Sequence, residues 1–186
     1  MSYANVLSWK QENTYTRDVF IVLLSSLLIA LMGQLSIPLP FTPVPISFRF
    51  QTVLLLSALL GSRRAVLATA LFLLQGMMGL PVFANGVSGI AGLLGPVGGY
   101  YLGYLAAAFI VGYMSDSPKN RTLGRCAMSF LVGTLIVYAC GTAYLTTFVG
   151  FQKALLLGVA PFIVGDIVKT LVCLRILRQM EWQKVA

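Results

Sequence analysis

The stretch Pro161-Phe-Ile-Val-Gly-Asp-Ile-Val-Lys169 decides the fold. It sets a carboxylate and an ammonium at i, i+3 inside an otherwise apolar run, Ala154–Leu177. A charge at bilayer depth costs about 2.5–3.5 kcal/mol even on insertion scales, so such residues are rare there and face a partner or a cavity. The spacing puts both groups on one helix face, where they can pair. Two readings follow: a pair that locks a helix bundle, or a polar site that takes a ligand. Intramembrane ionisable residues more often mark the second. Pro161 and Gly165 flank the pair and predict a loosened first turn near the outer face.

Apolar runs of the same kind precede it at Val19–Ile37, Ile46–Leu60, Ala65–Leu80, Val97–Met114 and Cys126–Thr147. The 186-residue chain is 58% hydrophobic and 10% charged, with a mean hydropathy of +0.88. Soluble domains carry about 25% charged residues, so the composition excludes a water-soluble globule. It predicts an all-α membrane protein, one integral membrane domain over 1–186, with six membrane helices and short tails at about 1–17 and 178–186. The second and third runs are short. About 15 helical residues rise only ~22 Å against a hydrocarbon core of ~30 Å. They need non-helical extension or a place inside the bundle.

Between the runs, Pro38-Leu-Pro-Phe-Thr-Pro-Val-Pro45 forbids helix and predicts a stiff extended segment. Pro81–Gly95 mixes Gly86, Gly89, Gly92 and Gly95 with apolar residues, and is expected to fold back as an ordered outer loop. Charge sets the orientation. With six spans, Lys10, Arg17, Arg63, Arg64, Lys119, Arg121, Arg125, Arg175, Arg178 and Lys184 fall on one side and Lys153 on the other. Both termini are therefore expected in the cytoplasm of a multi-pass cell-membrane protein. The net charge of +8 is explained by this asymmetry and needs no nucleic-acid partner.

No GxxxxGK[ST] phosphate loop, serine elbow or metal-ligand cluster occurs, and the chain has no histidine. Cys126, Cys140 and Cys173 fit no CxxC spacing and read as buried thiols. A membrane enzyme using Asp166 and Lys169 as acid and base would lack a nucleophile or metal, so the chain is expected to be no enzyme and to hold no cofactor. Arg49, followed by Gln51, is a third charge near an apolar run. It either snorkels to the headgroups or joins Asp166 and Lys169, giving a net positive cluster suited to a small carboxylate. Asn85 and Tyr100 offer further polar contacts.

Gly95-Pro-Val-Gly-Gly-Tyr-Tyr-Leu-Gly103 overlays two GxxxG spacings, which let helices approach closely. Its turn also exposes backbone N–H groups at Gly98 and Gly99 to a polar ligand. Ser26 and Ala30 form a small-xxx-small pair in the first run.

Four stretches together resemble the BioY family, the biotin-binding S components of energy-coupling-factor (ECF) vitamin transporters: residues 37–46, 79–86, 95–103 and 161–169. They run in the family's order across nearly the whole chain. The Gly-Asp-x-x-Lys signature falls on Gly165, Asp166 and Lys169, and the Gly-Pro-Thr-Gly-Gly-Tyr signature on Gly95–Tyr100 with Val97 replacing threonine. Arg49 stands where many members carry glutamine, and Gln51 follows; either is placed to reach the ligand.

The resemblance implies a six-transmembrane-helix S-component bundle that binds biotin near its outer face. It implies a partner ECF module, comprising a membrane coupling protein and two ATPase subunits, which docks on small residues such as Ser26 and Ala30. Expected biotin contacts are Asp166 and Lys169 at the ureido ring, Arg49 at the carboxylate with Gln51 as the alternative to it, Asn85 and Tyr100 at other polar edges, and Phe41 and Phe83 against the apolar parts. An S component for another small carboxylate-bearing vitamin is the alternative.

Overall fold

The computed structural model describes residues 3–116 and 123–182. Its order is α1 (Tyr3–Gln34), β1 (Ser36–Leu39), β2 (Thr42–Ser47), α2 (Arg49–Leu60), α3 (Ser62–Met77), α4 (Gly89–Leu94), α5 (Gly98–Ser115), α6 (Leu123–Val149), α7 (Phe151–Gly158) and α8 (Ile163–Trp182). Lys119 and Arg121 of the expected basic loop, and Lys184, lie outside the described residues. The chain is helical already from Tyr3 and up to Trp182, where tails were expected.

Polarity is inverted relative to a soluble protein. Ser25, Ser26, Arg49, Gln51, Ser57, Thr69, Ser129 and Asp166 are buried, while Phe20, Leu24, Leu27, Leu31, Phe109, Met128, Leu135, Val164 and Leu171 lie exposed. That pattern suits a hydrocarbon solvent, which penalises outward polar groups and not outward leucines. Among the described residues, two helices are long and apolar enough to cross a membrane, over Tyr15–Gln34 and Leu123–Val149. A third qualifies if α7 and α8, bent by 43° at their junction, count as one span. The bend falls at Val159–Phe162, where Pro161 cannot continue a helix.

The fold is not purely helical. Residues 36–47 form an antiparallel hairpin pairing Ser36 with Ser47, Ile37 with Ile46 and Leu39 with Thr42. Its prolines keep the chain extended, and the register slips between Ile37 and Leu39, at Pro38, which has no N–H for the ladder. The run expected from Ile46 therefore becomes helix only at Arg49. Thr42 Oγ1 donates to the Leu157 carbonyl at 2.8 Å, tying the hairpin to α7.

Pro81–Gly95 does fold back, and contains the short helix α4 rather than being wholly irregular. Phe83 is 0% exposed, stacked on Tyr101 (4.8 Å between centroids) and edge-on to Phe72 (5.8 Å). A Cβ at Gly76 would run into the Phe83 ring. Gln34 Nε2 donates to the carbonyls of Pro81 (2.8 Å) and Phe83 (3.0 Å), so the end of α1 secures the loop.

Candidate functional site: a cavity beside a buried ion pair

The hairpin, α2, α5, α6 and the α7–α8 bend surround a small open cavity. Val44, Phe50, Val137 and Phe162 make an apolar wall; Tyr100, Tyr104, Tyr138, Asp166 and Lys169 supply the polar groups. An apolar hollow with a few convergent polar side chains is the usual form of a small-molecule site.

Asp166 is the acidic residue in the first turn of α8. Its Oδ1 lies 3.3 Å from Lys169 Nζ, and its Oδ2 accepts from Tyr138 Oη at 2.6 Å. Lys169 also donates to the Ser47 carbonyl at 3.0 Å and stands 5.4 Å from the Phe48 ring centroid. The pair thus couples the last helix to α6 on one side and to the hairpin on the other. Tyr100 Oη donates to the Gly158 carbonyl at 2.9 Å, which closes the bend.

Of the residues expected at a site, Asp166, Lys169 and Tyr100 line this cavity. Arg49 takes neither expected course. It is 2% exposed, so it does not snorkel, and it does not pair with Asp166. Its guanidinium donates to Tyr101 Oη (3.2 Å) and the Val82 carbonyl (3.3 Å), between the Phe72 and Tyr101 rings and against Gly33. Among the described residues the ion pairs are Arg64–Asp18 and Lys169–Asp166, so Arg49 has no carboxylate partner. The first-turn position of Arg49 sends the side chain toward α1 and the 81–95 loop instead of toward α8.

Gln51 is buried with both amide atoms unpaired. Asn85 is exposed in a left-handed turn (φ +57°), its Oδ1 accepting from Ser36 Oγ at 3.1 Å. Phe41 is 58% exposed, and Phe83 faces the Arg49 side. The Gly98 N–H is spent on the Gly95 carbonyl (2.8 Å). A Cβ at Gly99 would meet Tyr144 and the Cys140 carbonyl, so these glycines serve the contact of α5 with α6.

Ser26 and Ala30 need correction as a docking face. Both are buried, and Ser26 Oγ donates to Gln75 Oε1 at 2.8 Å, so the small residues bring α1 against α3. Tyr138 and Ser47 were missed. A tyrosine in the middle of the apolar run Cys126–Thr147 is the signal that could have found the first, since a buried phenol needs a partner.

Bundle, cavity and buried pair define a membrane protein that binds a small, partly polar molecule. The chain belongs to the BioY family, whose model matches residues 5–184. It is 36% identical over 165 residues to the probable biotin transporter BioY of Pyrococcus horikoshii, covering 89% of this chain and 96% of that one. It is 34% identical over 167 residues to the biotin transporter BioY of Rhizobium etli, covering 84% and 89%. In structure it is similar to the S-component for biotin from an ECF-type ABC transporter, with a TM-score of 0.82 and 26% identity over 91% of this chain and 93% of that one.

Proposed function

We propose that the protein is the biotin-binding S component of an ECF-type transporter, taking up biotin across the cell membrane. The observation that carries this reading is the buried Asp166–Lys169 pair opening onto an apolar cavity. Biotin needs that combination: a ureido ring with N–H donors and a carbonyl, on an apolar bicycle and chain. Ionised Asp166 only accepts hydrogen bonds and suits the ureido N–H; Lys169 only donates and suits the carbonyl. The valerate carboxylate is assigned to Arg49, the buried cation without a counter-ion among the described residues, with Gln51 and Asn85 as further polar partners, and Tyr100 is left to accept from the ureido end. Phe41 would cover the apolar parts, with Phe83, sealed against Tyr101, backing that wall from inside; Gly98 and Gly99 would act through the close contact of α5 with α6 that places Tyr100.

Lacking a phosphate loop, the chain depends for energy on an ECF module of a coupling protein and two ATPases. In this reading α1, α2 with the hairpin, α3, α5, α6 and the bent α7–α8 pair are the six spans, and both termini are cytoplasmic. The outward Leu24, Leu27 and Leu31 of α1 remain available to lipid or to the coupling protein. The test is equilibrium binding of radiolabelled biotin to purified protein, with other carboxylate-bearing vitamins as competitors. Tight binding displaced by unlabelled biotin alone supports the assignment. Displacement by a different vitamin at lower concentration would transfer it to that ligand.

A further inference from the structure

Tyr138 touches the site through a single short hydrogen bond, and the direction of that bond is fixed by chemistry. Asp166 faces Lys169 and is the ionised member of an ion pair, so it has no hydrogen to give. Tyr138 Oη, 2.6 Å from Asp166 Oδ2, must be the donor. The same logic fixes Tyr100, whose Oη can only donate to the Gly158 carbonyl. Both phenols have therefore spent their one hydrogen on the protein. What each oxygen can still do is accept, and both residues line the cavity. Around Asp166, Lys169 is then the donor and the oxygens of Asp166, Tyr138 and Tyr100 are acceptors.

From this we infer that Tyr138 is a specificity-determining residue, a positioning residue for Asp166 that makes the polar end of the cavity select ligands carrying N–H donors. Resting on the biotin reading, the inference deepens it. Lys169 holds one carboxylate oxygen from within α8 and Tyr138 the other from α6, so the carboxylate plane is pinned by two helices. A pinned acceptor meets an N–H without first losing rotamer freedom, and charge-assisted bonds of this kind are the stronger ones. Without the phenol donor, Oδ2 turns to water or toward Lys169, and discrimination by the N–H weakens.

The test measures equilibrium binding of two probes, biotin and biotin methylated on a ureido nitrogen, to the wild type, Tyr138→Phe, Tyr138→Met and Asp166→Asn. Wild type should prefer biotin strongly. In Tyr138→Phe, biotin affinity should fall about ten-fold or more, the scale of one hydrogen bond to a charged group, while the methylated probe loses much less. The ratio of the two affinities therefore shrinks. Tyr138→Met, another donor-less side chain, should shrink it in the same way. A role in packing alone would weaken both probes equally and leave the ratio at the wild-type value, which overturns the inference. So does failure of both Tyr138 variants to fold, since that makes the residue structural. Asp166→Asn separates the two layers. If it keeps wild-type biotin affinity, the biotin site itself is misplaced; if it loses affinity while the Tyr138 ratios stay unchanged, only the role of Tyr138 is wrong.

Discussion

Replacing Asp166 by asparagine perturbs the site with almost no change of volume. Asp166 is 8% exposed, and its two oxygens are engaged by different helices. Asparagine keeps one oxygen. Turned toward Lys169, that oxygen leaves the amide nitrogen facing Tyr138 Oη, which must then accept where it had donated. Turned toward Tyr138, it sets N–H₂ against the ammonium. The first arrangement is the cheaper, and it removes the ion pair. Coulomb's law at the observed 3.3 Å with an effective dielectric of ~20 gives about 5 kcal/mol as the gross attraction lost. Breaking a buried pair typically costs about 3–5 kcal/mol net. Lys169 keeps the Ser47 carbonyl and the Phe48 ring, which places the expected loss of stability at the lower end, about 3 kcal/mol. Binding suffers separately. Loss of a charged acceptor for a ligand N–H removes about 1.5–3 kcal/mol, a drop in affinity of roughly 10- to 100-fold. Thermal unfolding of the ligand-free variant reads the first quantity and equilibrium dialysis with labelled biotin the second. A folded variant that binds biotin within two-fold of wild type would refute the assignment of Asp166 to the ligand.

Arg49→Ala should lower affinity for biotin more than for its uncharged carboxamide; equal losses in a competition assay would remove Arg49 from the carboxylate. Gly99→Leu should destabilise the bundle by about 1–3 kcal/mol or more, because the added side chain runs into Tyr144 and the Cys140 carbonyl. Its thermal midpoint reads this, and an unchanged midpoint would show that α5 and α6 do not need the close approach. In a cysteine-free background, an impermeant thiol reagent applied from outside should label a cysteine at position 153 and spare one at 119; the reverse would invert the topology.

What the sequence made legible was local. Apolar runs mark helices, closely spaced prolines keep residues 38–45 extended, and i, i+3 spacing brings Asp166 to Lys169. Each needs only the neighbouring few residues. The rest depended on which element lies opposite. Prolines show that a segment is extended but not that it turns back on itself, so the hairpin was invisible. The small pair Ser26 and Ala30 announces a close helix contact without saying with what, and α3 took the place expected for a partner protein. Arg49 begins a helix whose first turn is surrounded on several sides. Its direction was decided by two oxygens and two aromatic rings from α3, α5 and the 81–95 loop, none near it in sequence. Tyr138 is a single polar atom on a long apolar helix, and only the position of α8 gives it meaning.

Arg49, buried, and Lys169, largely buried, differ in how their charge is balanced, and in the proposed biotin reading that difference sets the direction in which the ligand lies. Lys169 has Asp166 beside it, so the α8 end of the cavity carries no net charge and recognises by the placement of donors and acceptors. Arg49 is held by neutral oxygens and ring faces alone, and no carboxylate among the described residues offsets it. A buried charge without a counter-ion remains costly, and an anion brought to it gains from that imbalance. A ligand carboxylate at the α8 end would instead face Asp166 and compete with it for Lys169. The proposed reading therefore puts an uncharged, N–H-bearing head toward α8 and an acidic tail toward α2 and the 81–95 loop. The carboxamide comparison on Arg49→Ala tests the tail of that orientation, and the methylated probe on Tyr138→Phe tests the head.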